Sequence, residues 1–352
     1  MMSRMDDAPV PLHVVNAAAP IRICDNGGWT DTWFAGHGKV FNIGVSPYVE
    51  VQVKTHPIGA LPDRVVLDAE NYGERYAFEP GALPDRHPLL EAAVDQVGVP
   101  DDVCVEISVF SEVPAGCSTG TSAAATVALI GALDALTPGH MTPYDVASAA
   151  HRVEVDRLGI ESGIQDQLCA AFGGINYIDV SSYPHASVSQ LRVPESTWWE
   201  LEHRLALVFL GRTHVSSDIH DQVIANVTGG RADSDRCLEE LRHAADEARD
   251  AVLAADFAAL GRAMTRNTDA QRRLHPGLVC PEARTVMDVA ADRGALGWKV
   301  NGAGGEGGSI TLLCGADMRA KRDLLRAVQH ADPRFRVVPI SLSRFGLRVW
   351  RA

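Results

Sequence analysis

The chain has 352 residues, 46% hydrophobic and 22% charged, enough apolar material to bury a core and too much for an intrinsically disordered segment. Its 32 basic and 45 acidic residues leave a formal charge of -13, which argues against nucleic-acid or membrane-surface binding through bulk charge but not against an anionic substrate held by local groups. Seven cysteines are scattered without a C-x-x-C pair, so no disulfide framework or zinc site is expected and a reducing cytoplasm fits; the first ten residues lack a signal-peptide core, and no apolar run approaches the ~20 residues that span a bilayer.

In chain order, a short strand should lead into "CDNGGWTDT", where Gly27 and Gly28 permit a sharp turn ahead of Trp29, Thr30 and Asp31. Asp31 is a candidate acceptor for sugar hydroxyls, or the carboxylate of a simple Asp turn. "YVEVQVKT" alternates as a half-buried strand does, and "DRVVLDAE" and "VCVEISVF" read as further strands. "VPAGCSTGTSAAATVALIGALDAL" then places Pro114, Gly116, Cys117, Ser118, Thr119, Gly120, Thr121 and Ser122 directly before an alanine-rich buried helix. Backbone N–H groups and the positive helix end could cradle phosphate there, with the hydroxyls as donors or as a magnesium ligand; a capped turn fits the same residues. No Walker A pattern is present.

"TPYDVASAAHRVEVDRLG" is a second helix, with Thr142 as cap and Pro143 in the first position. Its Glu154 shares a face with Ala150 and His151 and reads as a solvated residue or a magnesium ligand. Asp166 opens a third helix, "DQLCAAF", as an N-cap or as a base, and "INYIDV" is another strand. A break is expected near "VPESTWWELEHR", dividing the chain into 1–200 and 201–352. "LGRTHVSSDIH" follows the strand "RLALVFLG" and offers His214 and His220 as substrate donors, metal ligands or surface histidines. Helices fill the stretch to Arg293. The end reads strand, helix, strand: "GSITLLCG", "DMRAKRDLLRAVQH", "RFRVVPISLS". Before it, "KVNGAGGEGG" satisfies G-x-G-x-x-G through Gly302, Gly304 and Gly307, but a β-rich run follows where a dinucleotide fold needs a helix. A strand-loop-strand element is expected, with Lys299 as a solvated strand end. Strands and helices mix without regular alternation, so the fold class is α+β.

Taken together and in this order, the three glycine-rich segments resemble the motifs of the GHMP kinases (galactokinase, homoserine kinase, mevalonate kinase and phosphomevalonate kinase). The resemblance covers nearly the whole chain. Within the family, "GGWTD" and "GIQDQLCAAFGGINYI" are most similar to the D-glycero-D-manno-heptose 7-phosphate kinases and fucokinases, which phosphorylate an anomeric hydroxyl. The resemblance implies two domains, an N-terminal α/β phosphate-loop domain and a C-terminal ferredoxin-like domain. It implies ATP over Gly116 to Ser122, Mg2+ on Ser122 and Glu154, Asp166 as the proposed base, and Arg22 beside it. The sugar site is implied at Asp31 with Gly28, Trp29 and Thr30, joined by Gly302, Gly304 and His214.

The sequence departs from the family pattern at Asp25, Asn26, Ser118, Thr119 and Glu306, and Asp25 and Glu306 add negative charge where an anionic sugar would bind. The expected activity is an ATP-dependent sugar kinase making a sugar 1-phosphate from a heptose or heptose 7-phosphate. Its partner is that small molecule, with no nucleic acid and no membrane; the oligomeric state is open, a homodimer included. Rival readings are a kinase of another small alcohol, a silent sugar-binding regulator and, last, an NAD-dependent dehydrogenase.

Overall fold

The computed structural model describes residues 10–212, 217–230 and 233–352. In chain order the strands are β1 (His13–Asn26), β2 (Gly38–Pro57), β3 (Val65–Ala69), β4 (Glu74–Phe78), β5 (Val103–Ser111), β6 (Ile175–Ser182), β7 (His185–Gln190), β8 (Leu205–Phe209), β9 (Gly297–Val300), β10 (Ser309–Leu313), β11 (Arg336–Val338) and β12 (Arg348–Arg351). The helices are α1 (Pro88–Val97), α2 (Thr121–Asp134), α3 (Pro143–Arg152), α4 (Gln165–Phe172), α5 (Glu195–Arg204), α6 (Ser217–Thr228), α7 (Ser234–Leu253), α8 (Phe257–Leu274), α9 (Pro281–Asp292) and α10 (Met318–Ala331).

Two sheets organise them. The larger runs β12-β1-β2-β5-β3-β4, with β6 on β2 and β7 on β6; only β3 and β5 pair in parallel. The smaller runs β11-β8-β10-β9 and is antiparallel throughout. Helices and mostly antiparallel strands mix in the α+β manner expected from the sequence. The last strand returns to the first sheet, where β12 pairs with β1, Val15 opposite Arg351.

The first strand is longer than the short lead-in expected. It spans 14 residues and tracks β2 to Asn26, with register shifts after Pro20 and Ile23. That length brings Arg22 to the edge of a cleft, with Asp25 buried behind it. Helix α2 is apolar all round and packs on β1 and β2; its alanines let it lie close to the strands. Helix α7 also packs on β1 and β2, α8 packs on β1, and β9 lies on α8. Helix α1, not expected from the sequence, starts at Pro88, and the Glu91 carboxylate accepts the backbone N–H groups of Asp85, Arg86 and His87.

Thr142 caps α3 through a reciprocal capping box with Asp145, as its position before Pro143 predicts. The helix stops at Arg152, however, and Val153–Arg157 continues as a π turn. Glu154, at the start of that turn, is buried along with Ala150 and His151, so of its two readings the solvated one fails. Among the described residues, no helix is long and apolar enough to cross a membrane.

Candidate active site

A cleft of about 650 Å³ opens where the ends of β1 and β9, the N-termini of α2 and α4, and the segment before α4 converge. One wall is the loop 116–122. Ser118 adopts a left-handed backbone, φ 57°, which lets the loop fold back on itself before α2 begins. Gly120 occupies the N-cap without a side chain, so the first N–H groups of α2 carry no cap bond. The Ser118 hydroxyl is buried with no partner, and Ser122 is exposed. Unsatisfied donors at the positive end of a helix suit an anion.

Asp166 faces that loop: a Cβ on Gly120 would come within 3.1 Å of its Oδ2. Arg22 donates from Nε to Asp166 Oδ1 at 2.8 Å and from Nη2 to Oδ2 at 3.0 Å, and from Nη1 to the Ser118 carbonyl. The Arg22 backbone N–H bonds the Thr119 carbonyl at 2.9 Å. One strand residue thus fixes both the carboxylate and the loop. Burial works against the Arg22 charge, but Asp166 and Asp25 overcome it and hold the guanidinium ionised. Asp166 sits second in α4, whose N-cap is Ile164, so it does not serve as the cap.

Asp31 enters from the turn after β1. Its Oδ2 accepts the Gln165 N–H at 3.0 Å, and it presses so closely on Gly163 that a Cβ there would lie 2.1 Å from the carboxylate. Burial pushes Asp31 up to about 6. Glu154 lines the same cleft, accepts from the Gln167 amide at 2.9 Å, and is pushed up to about 7, again chiefly by burial. Among the described residues no group of three or more His, Cys, Asp or Glu side chains could hold a metal by itself.

The third glycine-rich segment completes the wall and lies between β9 and β10, as strand-loop-strand. Gly302 lines the cleft with φ 62°; a Cβ there would meet the Ser118 carbonyl at 2.9 Å and Arg22 Nη2 at 3.1 Å. Its N–H donates to Asp25 Oδ2 at 2.9 Å. Lys299, expected as a solvated strand end, is instead buried against Asp25, and it also donates to Gln271 Oε1 at 3.2 Å. Asp25 is buried too, so its charge is matched inside the protein and is not offered to a ligand. Glu306 is exposed.

The cleft thus gathers Arg22, Trp29, Asp31, Gly116 to Ser122, Glu154, Asp166 and Gly302. Pro114, Gly28, Thr30 and Gly304 were also assigned to it from the sequence but stand behind its lining. Thr30 uses its hydroxyl on the Gly27 carbonyl at 2.7 Å, and Gly304 backs onto the Leu278 carbonyl. Cys117 is buried, with its thiol pushed up to about 11 by burial. His214 lies outside the described residues. His220, which has the simpler reading of a surface histidine, instead lines the cleft and packs on Trp29, ring centroids 4.8 Å apart. Sequence reasoning missed Gly163, Gln167 and the loop before α4; "GIESGIQ" carried only the glycine signal.

Comparison with known proteins gives two family matches: "GHMP kinases N terminal domain" over 89–174 and "GHMP kinases C terminal" over 248–331. A Campylobacter jejuni "D-glycero-alpha-D-manno-heptose 7-phosphate kinase" is 26% identical over 242 residues, 69% of each chain. A Thermococcus sibiricus "Mevalonate kinase" is 29% identical over 268 residues, 74% of this chain and 72% of that one. Among solved structures, a D-glycero-D-manno-heptose 1-phosphate kinase from Bacteroides thetaiotaomicron superposes with a TM-score of 0.71 at 20% identity, covering 96% of this chain and 98% of that one, a likeness of fold.

Proposed function

We propose, from the premise that this chain belongs to the GHMP kinases and transfers phosphate to an alcohol, that its acceptor is a sugar, favoured as a heptose or heptose 7-phosphate, phosphorylated on the anomeric hydroxyl. The observation that carries the reading is the two-bond clasp of Arg22 on Asp166, held against the loop 116–122. ATP is the donor. The loop and the uncapped start of α2 receive its triphosphate, and the unpartnered Ser118 hydroxyl supplies a further donor.

Asp31 accepts sugar hydroxyl hydrogens and orients the ring toward Asp166. Asp166 takes the proton of the anomeric hydroxyl as that oxygen bonds the γ-phosphorus. The bond from the γ-phosphorus to the β–γ bridging oxygen breaks, and ADP leaves. Arg22 stays charged throughout and offsets the negative charge gathering between Asp166 and the loop. Positioning and charge stabilisation of this kind are most of what phosphoryl transfer requires.

A magnesium ion fits the residues present. Glu154 is a buried carboxylate whose charge burial opposes, a state that a divalent cation relieves, and Ser122 offers a hydroxyl in the first turn of α2. Those two would hold it, and bound there it would neutralise phosphate charge. Magnesium characteristically takes one or two protein oxygens with phosphates and water, which agrees with the lack of a larger ligand cluster among the described residues. A cytoplasmic setting, with all seven cysteines free, belongs to the same reading.

Mevalonate is the second reading, favoured by the Thermococcus relative. A panel of neutral sugars, sugar phosphates and mevalonate, incubated with Mg-ATP and read by ADP release, tests both. Phosphorus NMR of the product, through coupling to the anomeric proton, reads the position. A new phosphate on a primary or ring hydroxyl overturns the regiochemistry.

A further inference from the structure

Beyond Asp166 and away from the loop, the cleft is walled by Trp29, Asp31, Thr32, Glu161, Ser162 and His220, with Asp221 beside them. Three of these are carboxylates. Glu161 is fixed from outside, accepting the indole N–H of Trp33, so it stands at the rim in a defined place. Asp31 is fixed from inside by Gln165 and Gly163. Among the described residues that line the cleft, Arg22 is the sole arginine or lysine, and its donors are committed to Asp166 and the Ser118 carbonyl.

His220 does not offset that charge. Burial lowers its pKa below the ordinary imidazole value, against the pull of Asp221 and Glu161. It lies against the indole of Trp29, and together they make an aromatic surface beside the carboxylates.

We propose that the acceptor enters this cleft as a neutral polyol, a sugar with neither a phosphate nor a carboxylate of its own, and that Asp31, Glu161 and Asp221 enforce the choice. Carboxylates are strong acceptors for sugar hydroxyls, and an aromatic face suits the C–H side of a pyranose. The same three groups repel a second phosphate, which carries -1.5 to -2 charges near neutral pH. This rests on the sugar-kinase reading and narrows it, setting the chain apart from relatives named for a heptose 7-phosphate and for mevalonate, both anions.

Matched pairs test it on the full chain with Mg-ATP: D-glycero-D-manno-heptose against its 7-phosphate, and D-mannose against mannose 6-phosphate, with mevalonate alongside. The neutral member of a pair should have the higher kcat/KM by at least about a hundredfold. Glu161→Lys with Asp221→Lys should shrink that ratio tenfold or more, chiefly by lowering KM for the phosphorylated member. Preference for the phosphorylated member overturns the neutral-acceptor inference and leaves the sugar kinase standing. Turnover of mevalonate without any sugar overturns both. A ratio that the double charge reversal leaves untouched removes Glu161 and Asp221 as its cause and overturns the inference as stated.

Discussion

Lys299 and Asp25 form an ion pair across the two sheets, Nζ to Oδ1 at 3.3 Å, with both side chains about 1% exposed. Asp25 is the penultimate residue of β1 and Lys299 lies in β9, and the other Asp25 oxygen accepts the N–H of Gly302 at the cleft wall. Burial lowers the Lys299 pKa, opposed by Asp25.

Removing one partner of such a pair leaves an uncompensated buried charge and costs about 3–5 kcal/mol. Lys299→Met should therefore lower Tm sharply in a thermal melt. Lys299→Met combined with Asp25→Leu should recover stability relative to the single variant, because the buried charge is gone. Turnover should stay low in the double variant, since Gly302 has lost its acceptor. A double variant no more stable than Lys299→Met would show that the pair's charge is not what matters.

Two buried carboxyls make stability depend on pH. Asp31 is pushed up to about 6 and Glu154 to about 7, burial being the main cause for each. An unfolded carboxyl titrates near 4. Between those values the folded, ligand-free protein binds more protons than the unfolded chain, so stability falls as pH rises. Their contribution is complete below about pH 4 and gone above about pH 7. Calorimetry of wild type and Glu154→Gln should give melting temperatures that diverge as pH rises from 5 to 7.5, wild type losing more. Magnesium dependence should run the opposite way: the magnesium needed for half-maximal rate should fall as pH rises through about 7. It should rise in Glu154→Gln and in Ser122→Ala. If neither variant alters it, the metal is held by other groups.

Gly163 is the narrow point beside Asp31, on the side of the cleft proposed for the acceptor. A methyl there would lie 2.1 Å from Asp31 Oδ2 and 2.7 Å from its Cγ, so either the carboxylate or the 159–164 loop must move. Overpacking of this kind costs about 1–3 kcal/mol. Gly163→Ala should raise acceptor KM tenfold or more and leave ATP KM within about twofold, because the loop 116–122 is untouched. Initial-rate kinetics with each substrate varied in turn separates the two. A rise in ATP KM alone would place Asp31 on the nucleotide.

The parts legible in the sequence are those set by local chemistry. The glycine and hydroxyl run before α2, the capping box at Thr142 and the strand after Gly308 each depend on residues a few positions apart. The pairs that build the site do not. Arg22 meets Asp166 from 144 positions away, a pairing only the family resemblance suggested, and Asp25 meets Lys299 across more than half of the chain. No periodicity reports such contacts, so Lys299 reads as solvated and Asp25 as a charge facing the ligand until the fold joins them. The length of β1 is hidden by "NAAAP", whose alanines, asparagine and proline are poor strand formers. Its neighbours β2 and β12 supply the pairing that its sequence does not advertise. Glu154 follows Ala147, Ala150 and His151 at helical spacing, and all three are buried, so its face is covered by the rest of the fold, which the sequence pattern alone does not report.

Asp166 is where the kinase reading is most exposed to refutation. Its carboxylate receives two bonds from Arg22 and bonds no N–H of its own helix, so its loss should not unravel α4. Asp166→Asn keeps one oxygen to accept from Arg22 and keeps the side chain's volume, while its amide cannot take a proton. Tm should fall by only a few degrees, since Asp166 is part exposed and one Arg22 bond survives. ATP affinity should stay within a fewfold, because the proposed function puts the triphosphate on the loop 116–122 and not on α4. Turnover should fall by about a hundredfold or more, the range for loss of a positioned proton acceptor. Arg22→Met gives the complementary pattern. It removes the buried cation that steadies both Asp166 and the Ser118 carbonyl, so ATP affinity and turnover should fall together. Calorimetric ATP titration, a melt and single-turnover ADP release on both variants separate these patterns. Unchanged turnover in Asp166→Asn would assign the Arg22–Asp166 clasp to structure alone and leave the proton to another group.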